Sequence, residues 1–155
     1  MRINQTERKV KKDEKRKYNK EKYKIFLDES CLIDYKEVDN TLIFRFAIPC
    51  FVIDGFRDEK YFDYCYFYDC YCKNYTNMET NYNNDIELYD IEVLSFDAQD
   101  DKYALFLYED FDNIFYFKFD CGGIDWKPIK MMYLDELEEG IENDKFKFDD
   151  ETFNI

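Results

Sequence analysis

From residue 41 onward the apolar side chains recur at every second position, and this period of two constrains the fold more than any other feature. In TLIFRFAI, residues 41 to 48, Leu42, Phe44, Phe46 and Ile48 alternate with their neighbours. A strand sends successive side chains to opposite faces, so these four share one face. NIFYFKFDC, residues 113 to 121, does the same with Phe115, Phe117 and Phe119, leaving Tyr116, Lys118 and Asp120 opposite. DIELYDIEVLSF, residues 85 to 96, puts Tyr89, Ile91 and Val93 on one face and Asp90 and Glu92 on the other. KYALFLYE, residues 102 to 109, is apolar on both faces and reads as a central strand. The DFDN between it and the next strand suits a hairpin.

The stretch YFDYCYFYDCYC, residues 61 to 72, splits by the same parity. Phe62, Tyr64, Tyr66, Tyr68, Cys70 and Cys72 form one face, expected in a core or an aromatic interface. Tyr61, Asp63, Cys65, Phe67, Asp69 and Tyr71 form the other, expected to be partly solvated. Residues 72 to 84 read as a polar loop, and Cys121-Gly122-Gly123 as a sharp turn that DWK follows. PIKMMYL suggests a short strand. LDELEEGI suggests a short helix near residues 134–142, with Leu134, Leu137 and Ile141 inward and Gly140 as its stop. KFKF, residues 145 to 148, suggests a last edge strand. Pro49 ends or bulges the first strand.

Strands at close intervals with no helices between them pair antiparallel. The expected class is α+β: a mostly antiparallel sheet of about six or seven strands, a basic N-terminal helix or arm, and a short acidic helix. Residues 1–24 form the arm, and 25–155 a single acidic β-rich domain. At 155 residues the chain is long enough for a real core. Phe and Tyr supply 16 and 15 residues, which argues against disorder in the body. Both have A/T-rich codons, so base composition alone raises their number.

Charge is divided unevenly. Residues 1 to 24 hold eleven Lys or Arg against four Asp or Glu, a net of +7, and the rest of the chain carries −21. Small soluble domains typically carry about 2 to 8 charges of either sign. The body therefore repels nucleic acid and membrane surfaces and attracts basic proteins. The arm has few apolar residues, and its Lys9, Lys11, Lys12, Lys15, Arg16 and Lys17 are candidates for contact with nucleic acid. A solvated tail, or an arm lying on the chain's own acidic body, are the other readings.

The catalytic repertoire is narrow. With no His, the commonest general base and imidazole ligand are missing. Four glycines leave no phosphate-cradling loop, and neither Ser30 nor Ser95 lies in a nucleophile-elbow context. Asp58-Glu59-Lys60, Asp100-Asp101-Lys102 and Asp125-Trp126-Lys127 resemble acid–lysine sets of metal nucleases, but 36 acidic residues produce such sets by chance. Cys65, Cys70, Cys72 and Cys121 lack the spacing of zinc pairs, and parity sets Cys65 opposite the other strand cysteines. Neither a metal nor a cofactor is expected, and the cysteines read as buried thiols. No apolar run is long enough to span a bilayer, and no signal peptide is visible, so a cytoplasmic location is expected.

What remains is a non-enzymatic binding protein. Dense carboxylates can imitate duplex DNA, which carries one charge per about 1.7 Å of axis. The expected function is inhibition of a nucleic-acid-handling protein, such as an effector nuclease or toxin, by charge mimicry or groove blocking. Candidate contacts are Asp63, Asp69, Asp90, Glu92, Asp135, Glu136, Glu138 and Glu139. In general character the chain resembles phage anti-defence proteins of the anti-CRISPR kind and toxin-immunity proteins. A phage origin would place it in a bacterial cytoplasm. The alternative is an aromatic-rich interaction or homo-oligomeric scaffold module, and after it a carboxylate nuclease.

Overall fold

The computed structural model describes residues 23–25, 27, 29–50, 63–83, 91–110, 113–143 and 145–149. Nine strands are described: β1 (Tyr23–Ile25), β2 (Cys31–Val38), β3 (Thr41–Pro49), β4 (Tyr64–Lys73), β5 (Thr76–Thr80), β6 (Ile91–Gln99), β7 (Lys102–Asp110), β8 (Asn113–Asp120) and β9 (Ile124–Tyr133). A helix, α1 (Leu134–Glu142), follows β9 directly. The strands form one antiparallel sheet in the order β5-β8-β7-β6-β2-β3-β4-β9, with β1 also on β6. The antiparallel sheet and the short acidic helix match the sequence reading, whereas the six or seven strands expected fall short. β1, β2 and β5 were missed because CLIDYKEV and TNMET carry no clean alternation. β5 lies inside the stretch read as a loop. It is held by hydrogen bonds such as Thr80 Oγ1 to the Tyr116 carbonyl at 2.6 Å. The basic arm read as a helix lies outside the described residues, except that Tyr23 and Lys24 belong to β1.

The sheet curls on itself. Between β3 and β8 lie three strands, so a flat sheet would hold them about 19 Å apart. Yet the rings of Phe44 on β3 and Phe117 on β8 have centroids 5.3 Å apart, and Phe44 and Phe119 are 6.0 Å apart. The face carrying Leu42, Phe44, Phe46 and Ile48 therefore closes on the face carrying Phe115, Phe117 and Phe119. Phe96 and Leu105 complete this aromatic core. The seam between the two halves is short. β2 and β6 share only the pairs Cys31–Glu92 and Leu32–Ile91 before β1 takes over the same edge of β6. Bulk ring packing, more than hydrogen bonding at the seam, holds the halves together.

A second core lies on the outer face of the β2-β3-β4-β9 half. Ile33, Ala47, Cys65, Phe67 and Met132 are covered there by α1, through Leu137, Leu134 and Ile141. This corrects the expectation of a partly solvated face for Cys65, Phe67 and Asp69, which are buried, while Asp63 is exposed and Tyr71 half-buried. β3 is buried from Leu42 to Pro49 because both its faces are covered. At the centre of this second face Arg45 and Asp69 sit directly opposite across β3 and β4, each only 3% exposed. The pair is bidentate, Nε to Oδ1 at 2.8 Å and Nη2 to Oδ2 at 2.9 Å.

KFKF is not a strand. Residues 145–149 cross the second face as an irregular strap. Arg45 Nη1 donates to the carbonyls of Phe146 and Lys147 at 3.1 and 3.4 Å, and the Phe148 amide donates to Asp34 Oδ2 at 3.0 Å. The Phe148 ring lies between the Arg45 guanidinium, 4.3 Å from its centroid, and the Lys36 ammonium, at 4.4 Å. Phe146 holds a φ of 72°, unusual for a bulky residue and costing roughly 1–3 kcal/mol. Its ring packs on Phe67 and against Gly140. Gly140 is therefore not a helix stop. It lies inside α1, buried, because a Cβ there would enter the Phe146 ring. DWK follows the Gly122-Gly123 turn as expected and lies at the start of β9.

Two stability measurements test this arrangement. Gly to Ala within a helix normally stabilises by roughly 0.5–1 kcal/mol. Gly140→Ala should instead destabilise by about 1–3 kcal/mol through overpacking against Phe146, read as a lower urea midpoint at unchanged slope. Asp69→Asn should cost about 3–5 kcal/mol by leaving Arg45 uncompensated, while Asp63→Asn stays within about 0.5 kcal/mol.

Candidate functional site

The eight carboxylates singled out from sequence separate into distinct groups. Asp69 is not a contact residue, since it is spent on Arg45 inside the fold. Asp90 and all six arm cations, Lys9, Lys11, Lys12, Lys15, Arg16 and Lys17, lie outside the described residues. Glu92 is exposed on β6, at the seam opposite Cys31. The other five come together. Leu134 N–H donates to the Asp63 carbonyl at 2.7 Å, which brings exposed Asp63 to the start of α1. Asp135, Glu136, Glu138 and Glu139 then follow, with Glu142 completing an exposed ridge.

The ridge arises from simple helical geometry. Leu137 turns inward and Leu134 and Ile141 pack with it, so the intervening acids face water. Carboxylates three and four residues apart have Cβ atoms about 5–6 Å apart. Asp135–Glu139 and Glu138–Glu142 are such pairs, and each like-charge pair destabilises the helix by roughly 0.2–0.5 kcal/mol. No basic residue occupies the last turn, and the helix lacks a side-chain N-cap. Among the described residues none of the five helix carboxylates makes an ion pair. Asp135 and Glu136 in the first turn gain from the helix dipole, whereas Glu138, Glu139 and Glu142 do not.

Two further surfaces lie apart from the ridge, and the sequence reading anticipated one of them in part. The first is aromatic. Tyr64 and Tyr133 stack across β4 and β9 with centroids 4.1 Å apart. Tyr66 meets Tyr68 edge-on, and Tyr68 meets Trp126. Tyr133 is 48% and Met131 41% exposed. The parity of the opening half of β4 signalled this row, but its partner on β9 came only from the pairing. The second is the outer face of the β5-β8-β7-β6 half, which no described element covers. KYALFLYE, apolar on both faces, is a central strand as read, flanked by β8 and β6. The structure buries only Tyr103, Leu105 and Leu107, leaving Ala104, Phe106 and Tyr108 half-buried. A groove of about 520 Å³ runs over this face, lined among others by Asp97, Lys102, Phe106, Lys118 and Asp120. The Lys118 ammonium lies over the rings of Tyr116 and Phe106, at 4.9 and 5.7 Å.

The six cysteines, all thiols, divide into two trios on opposite faces. Cys65 lies near Cys50 and Cys31, whereas Cys70 and Cys121 both lie near Cys72. The parity argument that sets Cys65 apart from Cys70 and Cys72 holds. Burial pushes the Cys65 thiol up to about 12, helped by Cys50 and Cys31. Cys121 rises to about 11, again mainly through burial. Burial also raises Tyr82 to about 12, with Tyr35 and Asp34 adding to it. Thiols so raised are poor nucleophiles. Among the described residues no group of three or more Cys, Asp or Glu side chains is placed to hold a metal ion. Asp100 and Asp101 occupy the β6–β7 turn while Asp125 on β9 pairs with Lys73 on β4 at 2.8 Å, so the acid–lysine sets do not share one strand pair. Asp58-Glu59-Lys60 lies outside the described residues.

No described helix is long and apolar enough to cross a membrane. Comparison with protein-family models, with curated proteins and with solved structures finds no match.

The raised thiols and tyrosine give a signed pH dependence. The folded state holds these protons more tightly than the unfolded chain does. Their contribution to stability is then full below pH 9.0, the ordinary thiol value, and is lost as pH rises from there towards 12. Urea midpoints across that range measure it, and Cys65→Ala should flatten the fall. At neutral pH a thiol reagent should modify Cys65 and Cys121 on the order of a hundredfold more slowly in the folded than in the denatured protein.

Proposed function

We propose that this chain is a non-enzymatic, cytoplasmic binding protein that inhibits a nucleic-acid-handling protein by filling its cationic groove with negative charge. The observation that carries this reading is the ridge of Asp63, Asp135, Glu136, Glu138, Glu139 and Glu142, whose five helix members make no ion pair among the described residues. A helix gains stability from cations at i+4 positions, and α1 carries none. A ridge of like charge that weakens its own helix is explained by a partner that neutralises it. A body charge of −21 adds long-range attraction, which speeds encounter with a basic surface. Such a partner is a protein built to grip a phosphate backbone, such as an effector nuclease or a nuclease toxin, as in phage anti-defence and toxin-immunity pairs.

Exposed Tyr133, stacked on half-buried Tyr64, and exposed Met131 favour a second reading, an aromatic interaction module or a homo-oligomer formed through that row. The two separate by salt. Charge-driven binding weakens steeply with ionic strength, and aromatic assembly does not.

Low-salt capture from nuclease-treated host lysate should retrieve basic nucleic-acid-binding proteins. Reversing both Glu138→Lys and Glu139→Lys should weaken the affinity for the captured protein by roughly 10- to 100-fold, about 1.4–2.8 kcal/mol. Unchanged affinity would remove α1 from the interface, and magnesium-dependent cleavage of nucleic acid by the purified chain would sink the inhibitor reading.

A further inference from the structure

We infer that the exposed ring of Tyr133, where β9 passes into α1, seats an arginine side chain of the partner. This rests on the reading of a basic partner and names the group that the partner presents. Tyr133 lies opposite Tyr64 across β9 and β4, and the two rings stack with centroids 4.1 Å apart. That stack is the one ring contact Tyr133 makes, and the residue is still 48% exposed. Met131, two residues earlier and so on the same face of β9, is 41% exposed. Free acids stand at the same corner of the fold. The Leu134 amide donates to the Asp63 carbonyl at 2.7 Å, and Asp135 lies in the first turn of α1. Asp63 and Asp135 are both exposed, and neither makes an ion pair.

The face of an aromatic ring is electron-rich, so an exposed ring near unneutralised carboxylates attracts a cation. Arginine fits this place better than lysine. A guanidinium is planar and weakly hydrated, and it can lie on a ring while its edge bonds a carboxylate, whereas an ammonium is a strongly hydrated point charge. The fold already uses that combination once. Arg45 lies 4.3 Å from the Phe148 centroid while its edge holds Asp69 through bonds of 2.8 and 2.9 Å. Met131 offers apolar surface for the methylene stem of the incoming side chain. A second copy of the chain fits less well. A two-fold contact at this corner would bring Asp63 and Asp135 of both copies together, between bodies that each carry −21. The same charge repels nucleic acid.

Oligo-arginine and oligo-lysine peptides of equal length, titrated calorimetrically into the intact chain at low salt, separate the ring from the charge. Both should bind, the arginine peptide roughly fivefold tighter. Tyr133→Leu should weaken the arginine peptide alone and bring the two affinities within about twofold of each other. Tyr133→Phe should keep the preference, because the ring carries it and not the hydroxyl. Reversing both Glu138→Lys and Glu139→Lys should weaken the two peptides alike and leave their ratio unchanged. Equal affinities in the native chain, or a preference that survives Tyr133→Leu with native circular dichroism, would overturn the arginine seat and leave the charge-driven reading standing. Binding of neither peptide would remove the basic partner as well. Concentration-dependent dimerisation that Tyr133→Leu abolishes would give the ring to a second copy instead.

Discussion

The bidentate pair of Arg45 and Asp69 is the constraint around which one face of the molecule is organised. Two charges in the middle of a sheet are tolerated only if they are paired and their remaining hydrogen-bonding capacity is met. Asp69 takes two of the guanidinium N–H groups, and the strap carbonyls of Phe146 and Lys147 take more. The strap must therefore lie where it does, although it forms no strand of its own. Once it is there, Phe146 occupies the space beside Gly140, and α1 is held against Phe67 and Cys65. With α1 so oriented by its buried side, its acidic side has only solvent to face. The ridge proposed as the binding surface thus depends on a charge pair buried beneath it.

The other half of the molecule obeys a different rule. Its inner face is sealed by rings, with Phe44 reaching Phe96, Phe117 and Phe119 from across the curl. No helix among the described residues covers its outer face, which keeps a groove. One sheet thus presents two surfaces of opposite character, an acidic helical ridge on one half and a ring-floored groove on the other. The thiols follow the same division, Cys70, Cys72 and Cys121 in one core and Cys65 in the other, and burial raises Cys65, Cys70 and Cys121.

Several residues show how far local pattern reaches. Phe115, Phe117 and Phe119 are inward as their alternation requires, and the hairpin of β7 and β8 lies where DFDN suggested. Leu137 with Leu134 and Ile141 orients α1 as helical spacing demands. Asp69 shows the limit. Its period-two position was read correctly, but solvation was inferred from its charge, because Arg45, 24 residues earlier, is invisible to a local window. The bulge between Val93 and Ser95 likewise shifts parity on β6, leaving Leu94 exposed and Phe96 buried. β5 carries no alternation at all and exists because β8 offers it an edge.

By itself the sequence determined that the body is an antiparallel sheet, that a short helix carries its acids outward, and that the charge divides between a basic arm and an acidic body. These follow from periodicity and composition, which are local. Only the tertiary structure decided that the sheet curls, which of its faces are covered, that Asp69 is inside while Asp63 joins the ridge, and that a groove opens beside the arm's point of attachment. Those outcomes depend on pairings between residues far apart in the chain, such as Arg45 with Asp69 and Phe44 with Phe117, and no local pattern contains them.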